Sequence, residues 1–287
     1  MAAIESTWAA RAARRVAARI DRRPPWWAVR RRGLLLTART DYAERPLSAA
    51  FRVEVIDALG TARRVALARG SGPALMILPG LYASLNEGLF ADIAELAARR
   101  ARAVALVEDR LAAETLKLNG AEIPSLARIG AETAALAGEL GAEPDALALS
   151  AGAGAALAAP PGTFGRIAVW SGALDLWATA EHLARHPLPR RHYAQVHRRA
   201  FAAARLAVPP LATVPARLAA GAPCGVPPDP LVVIHAEDDP VVPAASVRAF
   251  SVEDEQRVVI LPAGAHLGFG TLAGLDIYLD PFDQESG

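Results

Sequence analysis

Three features of this 287-residue chain predict an α/β fold. Its expected form is a mostly parallel central sheet with helices on both faces, an N-terminal antiparallel hairpin and a helical lid insertion. First, short runs rich in Val, Ile and Leu are continuous rather than alternating, which marks strands buried on both faces. Second, these runs alternate with stretches of helical length, as crossover units require. Third, apolar residues make up 53% of the chain and charged residues 21%, enough burial to offset chain ordering and to exclude a mostly disordered protein. A single α/β domain reaches about 250 residues, so one core with insertions is expected.

The first element expected is helical. Residues 1–33 carry nine arginines against Glu5 and Asp21, a basic segment inside a chain of net charge +1. Between Ile4 and Ile20, Trp8, Val16 and Ile20 recur at near-helical intervals among alanines, which predicts an amphipathic helix ended by Pro24 and Pro25. Trp26 and Trp27 follow. Arginine with tryptophan suits contact with an anionic membrane or a protein partner through residues 1–33. The plainer reading, a solvated helix whose tryptophans pack on the main domain, is preferred. A transit peptide also fits the composition.

Residues 1–45 are therefore read as a basic extension, 46–173 as the first part of the core, 174–228 as a lid and 229–287 as the second part of the core. Residues 51–57 and 63–68 read as a hairpin across a turn containing Gly60. Strands follow at 74–79, 103–108, 146–150 and 166–170, with helices near 86–100 and 124–140, and further strands at 231–236 and 257–262. About sixty residues separate the strand at Trp170 from the one at Leu231, too many for a plain crossover, hence an inserted helical unit. Residues 208–230, rich in Pro, Gly and Ala, read as an irregular return to the sheet.

Several function classes fall away. Net charge near zero offers no field for nucleic acid. The single Cys224 excludes an internal disulfide and any multi-Cys zinc cluster, and nothing marks it as a thiolate. The longest apolar tract, around Ala74 to Leu85, is broken by Pro79 and Gly80, so no bilayer span is expected. Without an apolar signal region, a cytoplasmic location is expected. No P-loop, H-E-x-x-H or Cys/His zinc pattern occurs, so neither cofactor nor metal is assigned. Oligomeric state is left open.

Ligands of open parallel sheets collect at the carboxyl ends of strands, so the polar residues there are the candidates. Three strands end in Ser150, in the Asp238–Asp239 pair, and in His266. A serine hydroxyl is a weak nucleophile that needs a base, and a histidine base needs a carboxylate to fix its tautomer. A sharp strand-to-helix turn exposing Oγ also needs small neighbours, and Ala148, Gly152 and Ala153 are small. Developing negative charge on a carbonyl oxygen needs two amide donors, for which Ala151 and Leu81, the latter beside Gly80, are placed.

Each residue also has a plainer reading. Ser150 could cap a helix, and the aspartates could cap a loop before Pro240. His266 could be a satisfied turn histidine, and His235, inside an apolar strand, reads as packed. The lid histidines 182, 186, 192 and 197 show some i, i+4 spacing but lack the acidic partners of a metal site. A dinucleotide site built on Gly152-Ala153-Gly154 and Asp175 fails at Leu157, and leaves Asp239 and His266 without a purpose.

The order Ser150, Asp239, His266 resembles the α/β-hydrolase superfamily over about residues 51–287. The resemblance implies Ser150 as nucleophile, Asp239 as orienting acid, His266 as general base, and Leu81 and Ala151 as oxyanion donors. It favours Asp239 over Asp238 because Val-Val-Pro follows. Ala148 stands where the first glycine of G-x-S-x-G is usual, Pro79 where an H-G loop has histidine, and Asp109-Arg110-Leu111 where a Gly-rich turn is frequent. The implied function is hydrolysis of an ester, thioester or lactone of an apolar carboxylic acid, with a small-molecule acyl substrate. An acyltransferase with the same triad, or a non-catalytic binding protein of this fold, are the alternatives.

Overall fold

The computed structural model describes residues 7–20, 44–141, 143–219, 230–250 and 256–283. Trp26, Trp27 and Cys224 lie outside the described residues.

β1 (Phe51–Ala58) and β2 (Thr61–Ala68) form the expected hairpin. Its two-residue turn has positive φ at both Leu59 (57°) and Gly60 (77°), and the Gly60 amide donates to Asp57 Oδ1 at 2.6 Å. β3 (Gly72–Leu78), β4 (Arg102–Val107), β5 (Asp145–Leu149), β6 (Ile167–Trp170), β7 (Leu231–Ala236) and β8 (Gln256–Leu261) continue the sheet. The strand order is β1-β2-β4-β3-β5-β6-β7-β8, with β2 antiparallel to both its neighbours and every later pairing parallel.

The continuous apolar runs are explained by the pleat, which sends successive side chains to opposite faces. Leu75, Ile77, Leu147, Leu149, Trp170 and Ile234 serve one core, shared with α1 (Trp8–Ile20) and α2 (Gly88–Arg99). Met76, Leu78, Ala146, Ala148, Val169 and Val233 serve the other, under α4 (Leu126–Glu139), α5 (Gly152–Leu157) and α9 (Ala244–Arg248). α3 (Ala113–Asn119), between β4 and α4, is an element that the sequence pattern did not announce.

α1 packs against β7 and β8, burying Ala9, Ala12, Val16 and Ile20. Trp8 Nε1 donates to the Pro281 carbonyl at 2.7 Å, and Arg19 bonds Asp280 at 2.8 and 2.9 Å and Asp276 at 2.9 Å. The apolar stripe of the helix is thus spent inside the core, and its last arginine is tied to the C-terminal turns.

Between β6 and β7 the chain forms α6 (Leu176–Arg185), α7 (Pro187–Ala203) and α8 (Thr213–Ala219), the inserted helices expected from the long connection. Asp175 caps α6, its side chain accepting from the Ala178 amide at 2.9 Å. α10 (Phe269–Ala273) and two single 3-10 turns close the chain.

Candidate active site

Ser150 is the hinge between β5 and α5, held at φ 54°, a left-handed conformation that costs a non-glycine residue roughly 1–3 kcal/mol. The surrounding bonds hold it there. Its amide donates to the Trp170 carbonyl at 2.9 Å, and its carbonyl accepts from Ala153 at 3.2 Å and Ala173 at 3.1 Å. Of the small residues around it, Gly152 is sterically required and Gly80 sits close. A Cβ on Gly152 would lie 2.1 Å from the Leu78 carbonyl oxygen, and one on Gly80 3.3 Å from the Ser150 Cβ. Ala148, where a first glycine is usual, is fully buried in the second core, so its methyl fits.

The three strand ends converge. Ser150 Oγ lies 2.9 Å from His266 Nε2, and His266 Nδ1 lies 3.0 Å from Asp239 Oδ2. All three residues are buried. A carboxylate accepts only, so Nδ1 carries the proton and Nε2 is left to accept from the serine hydroxyl. Burial opposes ionisation of Asp239, but His266, His235 and the Val242 amide hold its carboxyl below the ordinary value. Its second oxygen accepts from the Val241 and Val242 amides at 2.8 and 3.0 Å.

Asp238 has a different place. Its Oδ1 accepts from the Gly264 and Ala265 amides at 3.0 and 2.8 Å, pinning the loop one residue before His266. Tyr278 steadies the far side by donating to the Leu267 carbonyl at 2.7 Å. His235 is fully buried, and its Nε2 donates to the Val242 carbonyl at 3.1 Å. Burial lowers its pKa, against the pull of Asp239 and the Val242 carbonyl.

Leu81 and Ala151 flank the serine, and among the described residues neither amide is engaged in a hydrogen bond. The loop that carries Leu81 is held by Asp109, whose Oδ1 accepts from Tyr82 at 2.7 Å and from Leu111 at 3.0 Å. That is what the Asp109-Arg110-Leu111 segment does in place of a Gly-rich turn. Burial pushes the Asp109 carboxyl up to about 6, against the pull of those amides. Tyr82, itself at φ 67°, joins the loop to α7, its hydroxyl 2.8 Å from His197 Nδ1, while His197 Nε2 donates to the Pro209 carbonyl at 2.8 Å.

A cleft of about 400 Å³ opens over Ser150 and His266. One face of α7 walls it with His192, Tyr193, Val196, Arg199, Ala200 and Ala203; Leu81, Glu87, Phe90 and Leu267 lie on the core side. Tyr193 comes close to the Ser150 side chain, and burial, then Asp239 and Glu87, raises its phenol. The sequence assigned no role to Tyr193, Glu87 or Asp109. Only the glycine-poor turn after β4 hinted at the latter. The lid histidines scatter: the rings of His182 and His186 lie 4.3 Å apart, tilted by 42°, while His192 and His197 face separate partners. Among the described residues no group of His, Cys, Asp and Glu could hold a metal ion, and no helix is long and apolar enough to cross a membrane.

No family model matches the sequence, nor does any curated protein. Solved structures do match in shape. The 2,6-dihydroxy-pseudo-oxynicotine hydrolase gives a TM-score of 0.56 at 18% identity, over 88% of this chain and 71% of its own. A membrane phospholipase A described as a bacterial virulence factor gives 0.56 at 15% identity, over 81% and 86%. N-formylmaleamic acid deformylase from Pseudomonas putida gives 0.52 at 14% identity, over 81% and 100%. The chain has the α/β-hydrolase fold.

Proposed function

We propose that this protein is a serine hydrolase that cleaves an ester, thioester or lactone of a largely apolar carboxylic acid through an acyl-enzyme. The observation that carries the reading is the continuous bonded chain from Ser150 Oγ through His266 to Asp239, beside two unengaged amides. In this mechanism His266 Nε2 takes the Ser150 proton as Oγ attacks the carbonyl carbon. The resulting oxyanion accepts from the Leu81 and Ala151 amides, an arrangement that stabilises charge formed only in the transition state. The intermediate collapses with the proton passing from His266 to the leaving group. Water, deprotonated by the same nitrogen, then attacks the acyl-enzyme and frees the acid. Leu81, Phe90, Val196 and Leu267 give the cleft its apolar lining.

The test is hydrolysis of p-nitrophenyl esters of increasing chain length by the wild type and by Ser150→Ala. Turnover is expected to fall by up to about 10⁶-fold if chemistry limits the rate. A fluorophosphonate probe should label Ser150 in the folded protein. Survival of most esterase activity in Ser150→Ala, or no labelling of Ser150, would reject the reading.

A further inference from the structure

Glu87 interrupts the apolar lining of the cleft. It occupies the N-cap position of α2, where a carboxylate ordinarily accepts from the first amides of the helix, yet its side chain makes no such bond. Among the described residues its side chain makes no hydrogen bond or ion pair. Its backbone is held on both sides: its amide donates to the Ser84 carbonyl at 3.2 Å, its carbonyl accepts from Ala91 at 2.9 Å, and it bridges to Glu44. Phe90, one turn on, lines the same cleft and lies against Gly80 beside Ser150. A half-buried carboxyl on a held backbone thus lines the space a substrate would fill, with no hydrogen-bond or ion-pair partner among the described residues.

Its charge state narrows the partner. Burial, with Asp109 adding to it, pushes the Glu87 carboxyl up to about 8, so at neutral pH it is mostly the protonated acid. A protonated carboxyl donates one hydrogen bond and accepts others, which matches a neutral hydroxyl. An ammonium would instead require charge in a place that disfavours it. An apolar substrate filling the cleft would desolvate this carboxyl and return nothing, and the penalty falls on the wrong substrate.

Resting on the hydrolase reading above, we propose that Glu87 is a specificity residue that selects substrates presenting a neutral hydroxyl to the cleft, on the acyl or the alcohol side of the scissile bond.

The test compares matched esters on the full-length protein. p-Nitrophenyl butyrate, 3-hydroxybutyrate and 3-aminobutyrate probe the acyl side, and ethyl against 2-hydroxyethyl butyrate probes the alcohol side. In one of the two series the wild type should prefer the hydroxylated ester in kcat/KM by roughly ten- to a hundredfold. Glu87→Gln, which still donates and accepts, should keep that preference within a few-fold. Glu87→Leu, or Glu87→Met if the leucine variant does not fold, should abolish or invert it. Wild type turning over both members of each pair equally would overturn the inference and leave the hydrolase reading standing. So would a preference that survives Glu87→Leu, or one that is greatest for the ammonium ester. Failure of the wild type on every ester would sink the hydrolase reading first, and this inference with it.

Discussion

Removing the Asp238 carboxylate should disable the histidine loop without touching the three reacting groups. In Asp238→Ala the Gly264 and Ala265 amides lose an acceptor now at 3.0 and 2.8 Å. Bonds to a charged acceptor contribute about 1.5–3 kcal/mol each in net terms, and partial access to water reduces the loss here to roughly 2–4 kcal/mol in all. The larger effect is geometric. His266 follows directly, and its Nε2 must stay near the 2.9 Å seen to Ser150 Oγ. A displacement of about 1 Å in such a site costs on the order of 100-fold. Asp238 does not line the cleft, so the loss should fall on kcat with KM little changed.

Asp238→Asn keeps an oxygen acceptor and should restore kcat to within a few-fold of the wild type. It should also alter the pH dependence of stability. Burial raises the Asp238 carboxyl, against the Ala265 and Gly264 amides, so the native state holds this proton to higher pH than the unfolded chain does. The carboxylate therefore costs stability as pH rises through the native value, and asparagine removes that cost. The assays are steady-state kinetics on p-nitrophenyl butyrate and urea unfolding at acid and neutral pH. Wild-type kcat in Asp238→Ala, or equal damage in the alanine and asparagine variants, would refute the positioning role.

Two further outcomes are expected. Asp145, buried at the start of β5, binds Arg102 and also Arg166 at 2.6 and 2.8 Å, and both guanidinium groups lie over the Phe282 ring. Asp145→Ala should lower unfolding free energy by about 3–5 kcal/mol, read as a fall in the urea midpoint, because it strands two cations. The site is at the opposite strand ends, so kcat below the melting range should hold. Asp109→Asn should flatten the stability change between about pH 4 and 6, because the native carboxyl ionises near 6 and the unfolded one near 3.8. In the wild type, stability should fall across that window by on the order of 2–3 kcal/mol. Equal slopes in both proteins would show that Asp109 does not carry the effect.

The sheet and the order of its strands along the chain were readable because their causes are local. An apolar run four to eight residues long, ended by Pro or Gly, specifies a strand wherever its neighbours lie. The nucleophile turn was equally legible, since the turn at Ser150 needs a glycine two residues on, at Gly152, to clear the Leu78 carbonyl. The N-terminal helix was seen, but its ties to Asp276, Asp280 and Pro281, more than 250 residues away in sequence, were not. The short helix α3 escaped because seven residues hold too few turns for a period to show.

Residue types at strand ends were enough to nominate a hydroxyl, an imidazole and two adjacent carboxylates. Between the two adjacent carboxylates only the family resemblance, through the Val-Val-Pro that follows, favoured Asp239; what each one faces is set by the fold. Folding assigned them, one to His266 and one to the amides before it. The same holds for Glu87 and Asp109, ordinary acids in the sequence whose carboxyls are both raised by burial, that of Glu87 further by Asp109. Periodicity is a property of a few consecutive residues, whereas a pKa, an unpartnered carboxyl or an aimed amide is a property of everything within several ångströms, most of it brought there from distant parts of the chain.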